Sequence, residues 1–238
     1  MNDWAPKRFW KSSGVVAAEE GFSVALDGRP VRTPAKAPLV VPTRAMAEAI
    51  VAEWDAQEDV IDPRTMPVTR GANAAIDKVA VQHGEVADML IAYGDSDLLC
   101  YRADTPEELV QQQSDAWDPF LDWAAETYGA RLLPRTGVMH LPQDVAAVDR
   151  LGAEVRKMTA FELAAFHDLV SLSGSLVLGL AAAKGLRPAE DLWEISRVDE
   201  TWQESQWGVD EEAAALAAIK KESFLAAKRF YDFALIRA

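Results

Sequence analysis

Cysteine is all but missing from this chain. Cys100 is the one example in 238 residues, so an internal disulfide is excluded and a reducing compartment fits best. Its apolar setting, "DLLCYR", is that of a buried, inert thiol. Histidine is nearly as rare: His83, His140 and His167 stand apart, with no H-E-x-x-H motif and no cysteine pair, so no metal site is expected. Glycine-rich phosphate loops are missing too. No G-x-x-x-x-G-K-S/T occurs, and "GSLVLG" at 174–179 has neither the lysine nor a strand signal before it, so neither a nucleotide nor another cofactor is expected.

Long apolar runs are also absent. The longest uncharged run, "LVSLSGSLVLGLAAA" at 169–183, is bracketed by Asp168 and Lys184 and falls short of the roughly 20 residues a membrane-spanning helix needs. It reads as one buried helix over 168–184, with Leu169, Leu172, Leu176 and Leu180 on one line. Ser171, Ser175, Gly179 and Ala183 form a second, small-residue line that lets another helix approach closely. Positive charge is the largest deficit. The net charge is −14, and because residues 1–40 carry +2, the remainder carries −16. Nucleic acid is therefore disfavoured as a partner, and a basic or aggregation-prone protein surface is the better match. The start, "MNDWAPKRFWKSSG", has neither an apolar signal core nor an Arg/Ser-rich amphipathic pattern, so neither export nor organelle import is expected.

What is present divides at a proline pair. Residues 1–66 hold short Val/Phe/Leu runs, an Asp27-Gly28 turn signal and prolines at 30, 34, 38 and 42, which predict a small antiparallel β unit. One helix follows: Thr43 caps it, and Met46, Ile50 and Trp54 recur at helical spacing. "DPRTMPVTR" reads as a hinge, and residues 67–238 are expected to form a second, mainly helical domain. Helix is expected over 70–94 with a break near Gly84, and again from a Thr105 cap with Pro106 at its first position to a stop at Gly129. The segment 130–142 reads as extended. Helices near 144–167, 168–184 and 188–207 follow, then a last one from about 210 whose Leu216, Ile219, Phe224, Phe230 and Phe233 share a face. The fold class is α+β, a β-rich N-terminal domain before a larger helical one.

Sites of catalysis are hard to find. Asp95 and Asp97 in "GDSDLL" read either as a hard-cation site or as a turn that caps the next element. No G-x-S-x-G elbow is present. Carboxylates beside tryptophan in "EWDAQ", "DAWDPFLDW" and "DETWQ" would suit a carbohydrate-active hydrolase, with rings stacking on sugar and two acids flanking the bond. That is the alternative to a non-enzymatic interaction module with no catalytic residue.

The segment "SRVDETWQESQWGVD" at 196–210 favours the module. On a helix, Ile195, Val198, Trp202 and Val209 fall in one sector of roughly 60° and form a core face. Glu200, Gln203, Glu204 and Trp207 lie opposite. An aromatic on a polar face marks a protein interface; the other reading has Gly208 end the helix and Trp207 fold onto a neighbour.

The chain resembles a family along nearly its whole length: the chaperones that assemble the catalytic head of F-type ATP synthase, of the type that holds the alpha subunit. The residues that carry the resemblance are "RFW" (8–10), "LDGRPVRTPAKAPLVVPT" (26–43), "EWDAQ" (53–57), "MPVTRGANAAID" (66–77), "DLLCYRA" (97–103), "WDPFLDWA" (117–124) and "DETWQESQWGVDEEA" (199–213). The resemblance implies an ATP-independent chaperone that binds the unassembled alpha subunit, prevents its aggregation and yields it to the beta subunit. Eukaryotic members work in the mitochondrial matrix, whereas this chain, without a transit pattern, reads as a bacterial relative in the cytoplasm. It also implies a role for the acidic segment in partner binding. Glu200 is the first residue carried over, and Asp199, Gln203 and Trp207 are added because an interface needs adjoining groups. Trp54 belongs to a recurrent motif, but its place on an apolar stripe reads as packing.

Overall fold

Prolines that cannot donate to a ladder keep the first forty residues in short strands. A computed structural model describes residues 7–137 and 140–235. The first six residues, Val138, Met139 and residues 236–238 lie outside the described residues, and with them parts of the N-terminal segment 1–14 and of the extended segment 130–142. Strands β1 (Ser13–Ala18) and β2 (Gly21–Leu26) pair antiparallel with Val15 opposite Val24. The Asp27-Gly28 turn, with φ of 48° and 76°, returns the chain into β3 (Arg29–Pro30). Such a pair of positive φ values matches the strand twist of a tight hairpin, and glycine takes one of them without strain. Strand β4 (Val40–Val41) pairs with β2 through Phe22 and Ser23.

Helix α1 (Arg44–Asp55) packs on this sheet. Thr43 caps it as expected, its Oγ1 accepting from the Met46 N–H at 3.1 Å. Met46, Ala47 and Ile50 are buried with Val24, Leu26, Leu39 and Val41. The "EWDAQ" motif then shows what its residues hold. Glu53 caps the next helix, α2 (Pro67–Ala74): its two oxygens accept from Val68 N–H at 2.6 Å and from the Thr69 N–H and hydroxyl, both at 2.7 Å. Burial pushes the Glu53 carboxyl up, and those Thr69 and Val68 donors oppose the shift. Trp54 meets Trp10 edge to face at 5.1 Å. The buried Gln57 accepts from Asp62 N–H at 2.7 Å and donates to Thr65 Oγ1 at 3.0 Å, and Arg8 donates to the Gln57 carbonyl. "RFW", "EWDAQ" and the start of "MPVTRGANAAID" are therefore one scaffold. Replacing Glu53 by alanine strands two backbone donors at a helix start, and should cost about 2 kcal/mol. The urea midpoint checks this, and an unchanged value would mean that water serves the donors as well.

Among the described residues, contacts group 7–83, 159–165 and 229–235 into one compact unit, and those of 84–158 and 166–228 into another. After α2 a π-helical turn (Ala75–Val79) and a turn at 80–82 precede α3 (His83–Ile91). Then come β5 (Tyr101–Arg102), α4 (Glu107–Tyr128) and β6 (Arg135–Thr136), which pairs parallel with β5. Helix α4 stops at Gly129, φ 65°, as expected. Its start differs from the sequence expectation. Pro106 occupies the capping position itself, after a cis peptide bond from Thr105, and no side chain caps the helix.

The three helices expected over 144–207 are five: α5 (Val145–Arg156), α6 (Ala160–Ser173), α7 (Leu176–Lys184), α8 (Ala189–Ser196) and α9 (Val198–Trp207). Thr159 and Glu162 form a reciprocal capping box that restarts the chain at α6. Gly174 at φ 72° breaks the expected helix over 168–184, and the Ser175 hydroxyl accepts from Leu178 N–H at 3.0 Å to start α7. The last helix, α10 (Glu211–Ala234), begins where expected. The class is α+β, a small antiparallel sheet followed by a mainly helical remainder. Among the described residues no helix is long and apolar enough to cross a membrane.

Candidate functional site

Helix α9 is tied down at its first turn and mostly exposed beyond it, with Trp202 half-buried. Gln113, buried on α4, donates from Nε2 to Asp199 Oδ1 at 2.6 Å and accepts from Ala103 N–H at 2.8 Å. Trp117, fully buried one turn further along α4, donates to the Ile195 carbonyl at 2.8 Å. Trp193 of α8 packs 5.9 Å from Phe224 of α10. The first of these contacts anchors the start of α9 and the other two hold α8, and none of the α9 residues is fully buried.

The exposed side carries the residues that the sequence singles out. Arg197 lies over the Trp193 ring at 5.9 Å and reaches Glu200 at 3.0 Å and Glu204 at 3.7 Å. One cation thus aligns both carboxylates along the helix. Glu200, Gln203, Glu204 and Trp207 line one groove of about 410 Å³. Asp199 does not join them, because its carboxylate is engaged by Gln113. Trp207 is 80% exposed, so it does not fold back onto a neighbouring helix. Gly208 ends α9 at φ 88°, and Asp210 caps α10 by accepting from the Glu212 and Ala213 N–H groups at 2.9 and 3.1 Å.

One expectation is corrected here. Val209, placed on the core face of a continuous helix, is 64% exposed, because the chain leaves α9 at Gly208. On α10, Leu216 and Ile219 are 52% and 65% exposed, whereas Phe224 and Phe230 are buried. The first half of α10 has little protein against it. Leu216, Ala213, Ala217 and Lys220 instead form the second wall of the groove. Nothing in the sequence singles out Arg197, Ala213, Ala217 and Lys220; the available signal is the Asp210 cap, which places an independent helix directly after α9.

The other candidate carboxylates have hydrogen-bond or ion-pair partners. Asp97 is buried and accepts from the Leu99 and Val177 N–H groups, both at 3.1 Å. Asp95 accepts from Gln143 N–H at 2.7 Å and lies 3.1 Å from His140 Nε2. The acids of the tryptophan-rich segments have partners as well: Asp118 with Arg102 at 2.7 Å, Asp122 with Arg131 at 2.9 Å, and Asp55 with Ser13 Oγ at 2.5 Å. Cys100 is buried, and burial pushes its thiol up to about 12, where it is unreactive near neutral pH.

Known proteins resemble this chain in sequence and architecture. The family model described as ATP12 chaperone protein matches residues 7–125. The crystal structure of Atp12 from Paracoccus denitrificans is similar over 96% of this chain and 98% of that one, at 49% identity and a TM-score of 0.94. A point mutant of that protein matches over the same shares at 48% identity, again with a TM-score of 0.94. Among curated proteins, the mitochondrial protein atp12 of Schizosaccharomyces pombe is 25% identical over 219 residues, 87% of this chain and 75% of the relative. The matched half contains the Glu53 scaffold, and the structural likeness extends across nearly the whole chain, so this chain belongs to the ATP12 chaperone protein family.

Proposed function

We propose that this protein is an assembly chaperone of the F-type ATP synthase, which binds the unassembled alpha subunit through α9 and yields it to the beta subunit. The observation that carries the reading is Trp207, 80% exposed beside Glu200, Gln203 and Glu204 on a helix with no fully buried residue. Large aromatics ringed by polar groups are typical anchors of protein interfaces. An alpha subunit without its partner presents an apolar interface, and a chaperone that covers it must bind well enough to block self-association yet weakly enough to be displaced. A partly wet, carboxylate-rich surface suits that intermediate strength, since exposed charges speed encounter and select partners more than they tighten the complex. Action is stoichiometric and without turnover. The compartment we propose is the bacterial cytoplasm; the fission-yeast relative is a mitochondrial protein.

The test mixes the protein with freshly diluted, isolated alpha subunit and follows light scattering, then co-elution on size exclusion. Wild type should suppress scattering and form a complex. Glu200→Lys reverses a charge on an exposed turn and repels Arg197, so it should weaken capture about tenfold with an unchanged circular dichroism spectrum. Scattering that rises unchecked with wild type, or unchanged affinity in the variant, would overturn the reading.

A further inference from the structure

We infer that the groove between α9 and the first half of α10 is a helix-docking site, and that its occupant is an amphipathic helix of the client with apolar anchors on one face and lysine or arginine beside them. The inference rests on the chaperone reading above; it adds α10 to the site and states the chemistry of what enters.

Both walls have the same periodicity. On α9 the lining positions are 200, 203, 204 and 207, and on α10 they are 213, 216, 217 and 220. Each set is one face of a helix, spaced i, i+3, i+4, i+7. Two facing helices joined by only Gly208, Val209 and Asp210 leave a trough that a third helix can complete, in the way helices generally seat in apolar grooves. At about 410 Å³ the trough has room for the side chains of one such face.

The α10 wall has the composition of a core that stops short. Phe224, Ala227 and Phe230 are buried, whereas Leu216 and Ile219, earlier on the same helix, are more than half exposed. Small Ala213 and Ala217 flank Leu216 and allow a close backbone approach. Together with Trp207, Ala213, Leu216 and Ala217 offer an apolar floor about two helical turns long.

Charge decides between occupants. The lining holds Glu200, Glu204 and Asp210 against Arg197 and Lys220, and Glu211 and Glu212 follow at the start of α10. A second copy of this chain would bring an equally acidic hairpin against the first, and like charges across an interface are costly. A basic-flanked helix finds complementary charge there.

The experiment places a photocrosslinking benzoylphenylalanine at position 216 of the full chain, irradiates its complex with isolated alpha subunit, and maps the adduct by mass spectrometry. In parallel, alpha-subunit affinity is measured for the double variant Ala213→Gln, Leu216→Gln, whose changes at exposed groove-lining positions should leave the melting temperature unaltered. The expected results are an adduct on a helical alpha-subunit segment with apolar i, i+3/i+4 positions and flanking Lys or Arg, and affinity reduced about tenfold or more. An adduct to a second chaperone copy, an adduct to a segment without basic residues, or wild-type affinity in the double variant would overturn the groove while leaving the chaperone reading intact. Absence of any complex with the wild-type chain would overturn both.

Discussion

Gly179→Leu should lower the melting temperature by about 6–12 °C, the equivalent of about 3 kcal/mol in a chain of this size. A Cβ built on Gly179 would stand 2.6 Å from Val170 Cγ2 and 3.2 Å from Phe166 Cε2. Both neighbours are fully buried on α6 and have no open space to retreat into. Even alanine must displace Val170, although its helix propensity exceeds that of glycine by roughly 1 kcal/mol and offsets part of that cost. Leucine adds three further carbons to the same contact, so α7 must move off α6. Scanning calorimetry on the glycine, alanine and leucine forms should show a small step followed by a large one. An unchanged melting temperature in the leucine variant would mean that α6 and α7 slide apart freely, and that the small-residue line has no packing role.

The same glycine shows how sequence and structure diverge. The small-residue line correctly marks Gly179 as a site of close helix approach, but a single helix over 168–184 requires the approaching helix to come from elsewhere. It is the first half of that same segment. Gly174 takes a left-handed conformation and Ser175 caps a new start, so α6 and α7 fold against each other at Val170 and Gly179. Nothing in the apolar periodicity distinguishes one long buried helix from two short ones, because both halves are apolar all round. Where local chemistry is decisive, the reading holds: Thr43 caps α1, Asp27-Gly28 turns the hairpin, and Gly129 ends α4. It fails at Thr105, where Pro106 takes the capping position instead.

At the candidate site the helical wheel places Glu200, Gln203, Glu204 and Trp207 on one exposed face, and these four line one groove. The wheel errs at its ends, since it treats 195–209 as one straight helix. Breaks at Arg197 and Gly208 remove Ile195 and Val209 from its frame. On α10, Leu216 and Ile219 lie toward the same side of the helix as Phe230, but periodicity describes the helix alone and does not show where its neighbours stop. An apolar stripe that outlasts its packing partners is visible only in three dimensions.

Asp97 should make stability depend on pH in a direction opposite to that of a salt-bridged carboxylate. Burial pushes its carboxyl from 3.8 up to about 6, against the opposing pull of Ser175, Val177, Leu99 and Leu176 donors. The folded chain therefore holds this proton more firmly than the unfolded chain does. Its contribution is fully present below pH of about 4 and is lost as pH rises through about 6, with an amplitude on the order of 2–3 kcal/mol. Asp97→Asn cannot titrate, so the wild-type minus Asn difference in unfolding free energy isolates this group from all other carboxylates. That difference should fall between pH 4.5 and 7. A rise instead would mean that the amide donors outweigh burial and hold the carboxylate ionised. Asp97→Ala gives the complementary result at every pH: the Leu99 and Val177 N–H groups lose their acceptor inside the protein, at about 1–3 kcal/mol each. Since Val177 lies in the first turn of α7, the alanine variant should also loosen the α6–α7 contact at Gly179. A double variant with Gly179→Leu should then cost less than the two single changes together, because each change disturbs the same docking of α7.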